Sequence, residues 1–209
     1  MAGHLGEKTT YAMIDSKTAG IFGEHLVQAE LERRGWSTCN LNADHPNTPG
    51  YDILAWKEES TDNDQSRTLS RNRIYVRVKT SRPLDPPNRR HFVFNVEKKG
   101  KPPSIDGIES NDFTVLVGMG QERNADEFYI VPTRVLRKEM YDRWQSYYGE
   151  TTKKGSKKVE SGMLNLYLHP APKGENRRPG YDLANKWTRY RNNWEFTYAV
   201  SSGRADTDD

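Results

Sequence analysis

Apolar residues recur along the chain in short periodic runs, and the period changes from one segment to the next. Over residues 18–35, Phe22, Leu26, Ala29 and Arg33 share one face at helical spacing, while Val27 and Leu31 make a second apolar side. This predicts a helix packed between neighbours and stopped by Gly35, just after Arg33 and Arg34. Glu24 precedes Val27 and Leu31 by three and seven residues and so belongs to that inward side. A carboxylate there needs a partner or a cation.

Beyond Gly35 the period shortens. Residues 36–41 predict a short strand, and a loop at 43–50 with two prolines and a closing Gly50 leads into a second strand at 51–56. Residues 57–72 carry almost no apolar content and read as a polar insertion. Residues 73–80 alternate cleanly, with Ile74, Val76 and Val78 on one side and Tyr75, Arg77 and Lys79 on the other. A proline-rich turn at 83–87 precedes a fourth strand at 91–97. Residues 112–117 and 127–131, joined by a turn-forming stretch, predict a hairpin. Pro132 and Thr133 then open a helix with Val135, Leu136 and Met140 on one side, running to about Tyr148. A linker at 149–162, a strand-like run at 163–168 and a closing helix capped by Asp182, with Leu183, Lys186, Trp187 and Tyr190, complete the chain. The expected organisation is an α/β core over 1–148 with a C-terminal extension, 149–209, packed on the same domain.

With 209 residues, 33% of them hydrophobic, the chain fits one ordered domain with long polar insertions. The longest apolar stretches, such as 113–117, are far too short to cross a bilayer. The first residues lack the apolar segment of a secretory signal, so a cytoplasmic location and no membrane partner are expected. Cys39, the lone cysteine, excludes an internal disulfide and a cysteine-based zinc site, and reads as a small buried residue.

The net charge of +3 says little, but its distribution says more. Arg67, Arg71, Arg73 and Arg77 lead into Arg82, Arg89 and Arg90 and then Lys98, Lys99 and Lys101. Grouped cations of this kind can neutralise the phosphates of a nucleic acid and release its counterions. The lysines of 153–158, set among Gly and Ser, read as a solvated loop. Tyr75, Trp187, Tyr190 and Trp194 lie near basic groups, where core packing is favoured over stacking on bases. His25, His45 and His91 share no metal-ligand spacing. Neither a GxxxxGK[ST] phosphate loop nor GxGxxG, GxSxG or HExxH occurs, so no nucleotide cofactor is expected.

Three fragments carry candidate chemistry: Gly23-Glu24 on the first helix, Pro49-Gly50-Tyr51-Asp52-Ile53-Leu54-Ala55 opening a strand, and Val76-Arg77-Val78-Lys79-Thr80-Ser81 ending the next. In order and spacing this resembles the PD-(D/E)XK nuclease superfamily, which includes restriction endonucleases and Holliday-junction resolvases. The resemblance runs over about residues 18–135. It implies a restriction endonuclease-like α/β fold, a central mixed β-sheet flanked by helices, here followed by a C-terminal helical extension. It also implies hydrolysis of phosphodiester bonds in DNA with Mg²⁺, or Mn²⁺ in its place. In that scheme Asp52 is the central metal ligand, Lys79 the catalytic lysine and Glu24 an accessory acid at the metal. Acidic side chains hold the cation, which activates water and neutralises charge on the phosphate, while the lysine orients water or stabilises the transition state. A homodimer is the usual arrangement when both strands are cut.

One position departs from the superfamily pattern. Two residues before the lysine the family carries Glu, Asp or Gln, and here stands Arg77. A guanidinium cannot coordinate a cation, and it brings a positive charge beside the metal. Either another carboxylate takes over, Glu97 on the next strand or Asp44, or the site binds phosphate without cutting. The second outcome describes an inactive nuclease-fold protein that binds nucleic acid or serves as a protein-interaction module. Either way Arg77, Arg82, Arg89, Arg90, Lys98 and Lys99 are the candidate contacts to nucleic acid.

Overall fold

The computed structural model describes residues 14–42, 50–63, 66–81, 94–95, 107–120, 126–149, 165–166 and 184–196. In chain order they form α1 (Ser16–Arg33), β1 (Ser37–Asn40), β2 (Ile53–Asn63), β3 (Ser66–Ser81), β4 (Phe94–Asn95), β5 (Asp112–Gly118), β6 (Glu127–Pro132), α2 (Thr133–Gly149), β7 (Asn165–Leu166) and α3 (Ala184–Trp187), with a 3₁₀ turn at Thr188–Tyr190.

Asp15 caps α1: its carboxylate accepts from the backbone N–H of Lys17 at 2.8 Å and of Thr18 at 3.0 Å, and from the Thr18 hydroxyl at 2.7 Å. Those Thr18 hydrogen bonds hold its pKa below the ordinary carboxylate value. At the other end Gly35 adopts φ +78, a left-handed conformation that suits glycine and releases the chain into β1. Ala19, Gly23, Val27 and Leu31 form the buried stripe. Of the two sides expected from the sequence, the Val27–Leu31 side is therefore the one that packs; Ala29 and Arg33 are exposed.

Five strands form a mixed sheet in the order β1-β2-β3-β5-β6, which makes the molecule α/β in class. All neighbours are antiparallel except β3 and β5, which run parallel. Alternation along β3 divides the sheet into two faces, as expected. Ile74, Val76 and Val78 join Val27 and Leu31 of α1, with Ile53, Phe113, Val115 and Ile130, in one core. On the other face Leu116, Tyr129 and Val131 pack with Leu136 and Met140 of α2, and with Leu166, Trp187 and Tyr190 from later in the chain. Lying between these two layers, β5 is buried at every position. Glu139 of α2 is paired with Arg143 at 3.2 Å and with Lys186, which links α2 to α3.

Residues 57–72 correct the sequence reading. Of these, 57–63 and 66–72 continue β2 and β3, paired in register from Ile53↔Val76 out to Asn63↔Ser66. Among the described residues β1 pairs with 53–56 of β2 and β5 with 75–81 of β3, so beyond Trp56 and Arg73 the hairpin continues as a two-stranded ribbon. The segment carries almost no apolar residues, so no alternation marked these strands in the sequence, which read only as a polar insertion. Opposite charges still mark its register, with Glu58 across from Arg71 and Asp62 across from Arg67.

Of the strands expected at 91–97 and 163–168, Phe94–Asn95 and Asn165–Leu166 are described; both are strands and they pair with each other in a separate small sheet. One further expectation changes. Cys39, expected inside, is exposed. It lies on the edge strand β1, where the alternate positions Thr38 and Asn40 are the half-buried ones. The hairpin of β5 and β6 and the following helix form where the sequence places them. Asp182 lies outside the described residues. Among the described residues, no helix is long and apolar enough to cross a membrane.

Candidate functional site

The site is built where β2 parts from β3. The Asp52 N–H still donates to the Val76 carbonyl at 2.9 Å, and the Asp52 carbonyl accepts from Leu41 N–H at 2.8 Å. Upstream of this point the backbone ladder ends. The next inward N–H, that of Val78, donates instead to the Asp52 carboxylate, Oδ2, at 2.6 Å. A side chain thus takes over the acceptor role of a strand, which fixes Asp52 against β3. Two contacts hold the approach to it. Arg77 Nε donates to the Gly50 carbonyl at 2.7 Å, where Gly50 adopts φ +108. The Tyr51 hydroxyl donates to Asp112 Oδ2 at 2.6 Å, and Asp112 Oδ2 also accepts from Glu109 N–H at 2.9 Å. Burial and the Asp112 charge push the Tyr51 phenol up to about 12.

Glu24 arrives from the opposite face. A Cβ built on Gly23 would lie 1.9 Å from Thr80 Oγ1, so α1 touches β3 with no room for a side chain there. This close approach brings the next residue, Glu24, to the same end of β3. Asn42 Nδ2 bridges the two acids, at 2.9 Å from Asp52 Oδ1 and 3.5 Å from Glu24 Oε1. Asn40 Nδ2 lies 3.5 Å from Glu24 Oε2, and its own Oδ1 accepts from Asn42 N–H at 2.8 Å. Burial, followed by the Asp52 charge, raises the pKa of Glu24. Two carboxylates are therefore held close enough to repel, with only neutral amide donors between them.

Lys79 completes the group. Its pKa is lowered, first by burial and then by the charge of Arg77, with Arg137 of α2 adding to the effect and Asp52 and Glu24 opposing it. The pKa of Arg137 is likewise lowered, by burial and by Arg77. The structure thus brings Glu24, Asp52, Lys79 and Arg77 near one another. Asp44, Glu97, Arg82, Arg89, Arg90, Lys98 and Lys99 lie outside the described residues.

The donor set fits a small hard cation. Mg²⁺ is commonly held by one or two carboxylates and keeps several waters. Glu24 and Asp52 supply the carboxylates, and a half-turn of the Asn42 amide presents its carbonyl oxygen where the N–H now points. Among the described residues no cluster of three or more His, Cys, Asp or Glu forms.

Sequence reasoning missed Asn40, Asn42, Arg137 and the Tyr51–Asp112 clamp. The alternate Asn40 and Asn42 at the end of a strand were the one local signal; Arg137 carried none beyond its place one turn after Thr133. Of the four aromatics weighed for stacking, Trp187 and Tyr190 are buried in the core, Trp194 packs against Phe128, and Tyr75 is half-buried beside Tyr51. No protein-family model, curated protein or solved structure matches the chain.

Proposed function

We propose that the protein is a metal-dependent endonuclease-like enzyme that hydrolyses phosphodiester bonds in DNA on a restriction endonuclease-like scaffold. The observation that carries this reading is the meeting of Glu24, Asp52 and Lys79, from three separate elements, at one end of β3. A carboxylate whose ionisation is opposed by burial and by a neighbouring acid, with both braced by amides, is an arrangement that a divalent cation relieves. Glu24 and Asp52 would hold Mg²⁺, or Mn²⁺ in its place, with the Asn42 amide oxygen beside them. When bound, such an ion neutralises phosphate charge and acidifies water. The chain itself supplies orientation: Val78 N–H fixes the Asp52 carboxylate, and Gly23 fixes the approach of Glu24. The Lys79 ammonium places a preorganised positive charge where the phosphate becomes more negative.

Arg77 supports a second reading. It stands where the superfamily pattern carries an acid or Gln, and its Nε is engaged by the Gly50 carbonyl. A nuclease-fold protein that binds nucleic acid without cutting, or serves as a protein-interaction module, is consistent with that replacement. Purified protein incubated with supercoiled plasmid, linear duplex, branched and single-stranded DNA in Mg²⁺, Mn²⁺ or EDTA separates the readings. The enzyme reading expects nicking or cutting that requires metal and is lost in Asp52→Asn. Cutting equal in both proteins, or none on any substrate, leaves the binding reading.

A further inference from the structure

The cations at this site come from two layers of the fold. Arg77 and Lys79 occupy alternate positions on the same face of β3. In the parallel register Arg77 pairs with Thr114 and Lys79 with Leu116. The Thr114 hydroxyl lies 3.0 Å from the hydroxyl of Thr133, the first residue of α2, and Leu116 packs with Leu136 of the same helix. Arg137 follows Leu136 and stands one helical turn beyond Thr133, so α2 lays it over the Arg77–Lys79 stretch. All three cations are half-buried. Among the described residues no ion pair closes on Arg77 or Lys79. The nearby acids are engaged elsewhere, Asp52 by Val78 N–H and the Asn42 amide, and Glu24 by two asparagine amides.

We infer that Arg77, Lys79 and Arg137 form a cradle for one phosphate group of a nucleic-acid backbone, with Arg137 as a substrate-positioning residue. Arg77 and Lys79, half-buried and set side by side, are costly unless an anion joins them, and a phosphodiester brings the matching charge and acceptor oxygens within reach of α2 and its Arg137. Arg77 then has a definite task. Anchored through Nε to Gly50, it keeps its terminal nitrogens in the plane that a phosphate accepts. The inference deepens the nuclease reading, since the phosphate lies next to Glu24 and Asp52, but the cradle itself requires neither metal nor cutting.

The test is therefore run in EDTA on the full chain. Melting of the wild type is compared in inorganic phosphate and in chloride at equal ionic strength, and duplex DNA binding is followed by anisotropy across a salt series. A phosphate-specific rise in melting temperature is expected, smaller in Arg137→Gln. Arg137→Gln should also weaken DNA binding by roughly three- to tenfold and lower the salt slope by about one. Arg137→Lys should keep most of that slope, and Arg134→Gln, changing an exposed arginine on the same helix, should leave affinity within about twofold. The cradle is overturned by a wild type that shows no phosphate-specific rise, by Arg137→Gln binding as wild type does, or by Arg134→Gln losing as much. Loss of binding in Arg137→Gln alongside a wild type that cuts nothing upholds the cradle and removes the hydrolysis reading. Unchanged binding in a metal-dependent nuclease does the reverse.

Discussion

Glu24 is held beside Asp52 at a cost, because burial and the Asp52 charge both oppose its ionisation. The folded pKa of Glu24 lies above its ordinary value of 4.5, through burial and the Asp52 charge. The protonated form is thus the one the fold favours. Its contribution to stability is full below pH 4.5 and is lost as the pH rises through the folded value. Glu24→Gln should therefore melt higher than the wild type at pH 7 in EDTA, and the advantage should vanish near pH 4. Equal melting at pH 7 would show that the acids do not strain the fold. Tyr51 offers a contrasting case. Asp112 is buried, and among the described residues its Oδ1 has no hydrogen-bond partner, so its Oδ2 depends on Tyr51 and Glu109. Tyr51→Phe removes one of those donors and should cost about 1–3 kcal/mol in denaturant unfolding, with the expected loss of Asp52 placement read as weaker metal affinity.

Among the elements, α1 and the β2–β3 hairpin act in opposite ways. The contact of Gly23 with Thr80 leaves no room for a methyl group, so Gly23→Ala should push α1 off β3 at a cost of about 1–3 kcal/mol. Glu24 should move with it, so activity is expected to fall further than stability does. Where the ribbon leaves the sheet beyond Trp56 and Arg73, Glu58, Asn72 and Arg73 are exposed, and the segment itself is almost free of apolar residues. Replacing 59–70 by Asn-Gly, which joins the paired residues Glu58 and Arg71, should leave the melting temperature within a few degrees of wild type. Elements with one buried face were legible in the sequence: the Val27–Leu31 stripe, the alternation of 73–80, the β5–β6 hairpin and the start of α2. The ribbon was not, because residues 57–72 carry almost no apolar side chain from which an alternation could be read. Cys39 misled for a different reason: an edge strand leaves alternate positions without a covering layer, whatever the residue's preference for burial. Glu24, Asp52 and Lys79 were singled out in the sequence through a resemblance, and the sheet places them near one another. Asn42, Arg137 and the Tyr51–Asp112 pair were not, since each acts across a long separation in sequence that only the folded sheet closes.

At the scale of the whole molecule, a sheet covered by α1 on one face and α2 on the other delivers unlike groups to one strand end. The acids Glu24 and Asp52 come from α1 and the start of β2, while the cations come from β3 and α2. A carboxylate pair and a cationic set meeting along β3 is what a metal and a phosphate need side by side. The central claim is that this meeting point cuts DNA, and Lys79 is the residue on which it turns. The most direct measurement is the rate of plasmid nicking by wild type and Lys79→Ala, purified identically and matched for melting temperature, in Mg²⁺ and in EDTA. The account predicts nicking in Mg²⁺ alone, reduced in the variant by about 10²–10³-fold. Equal rates for the two proteins, or nicking that persists in EDTA, would contradict it.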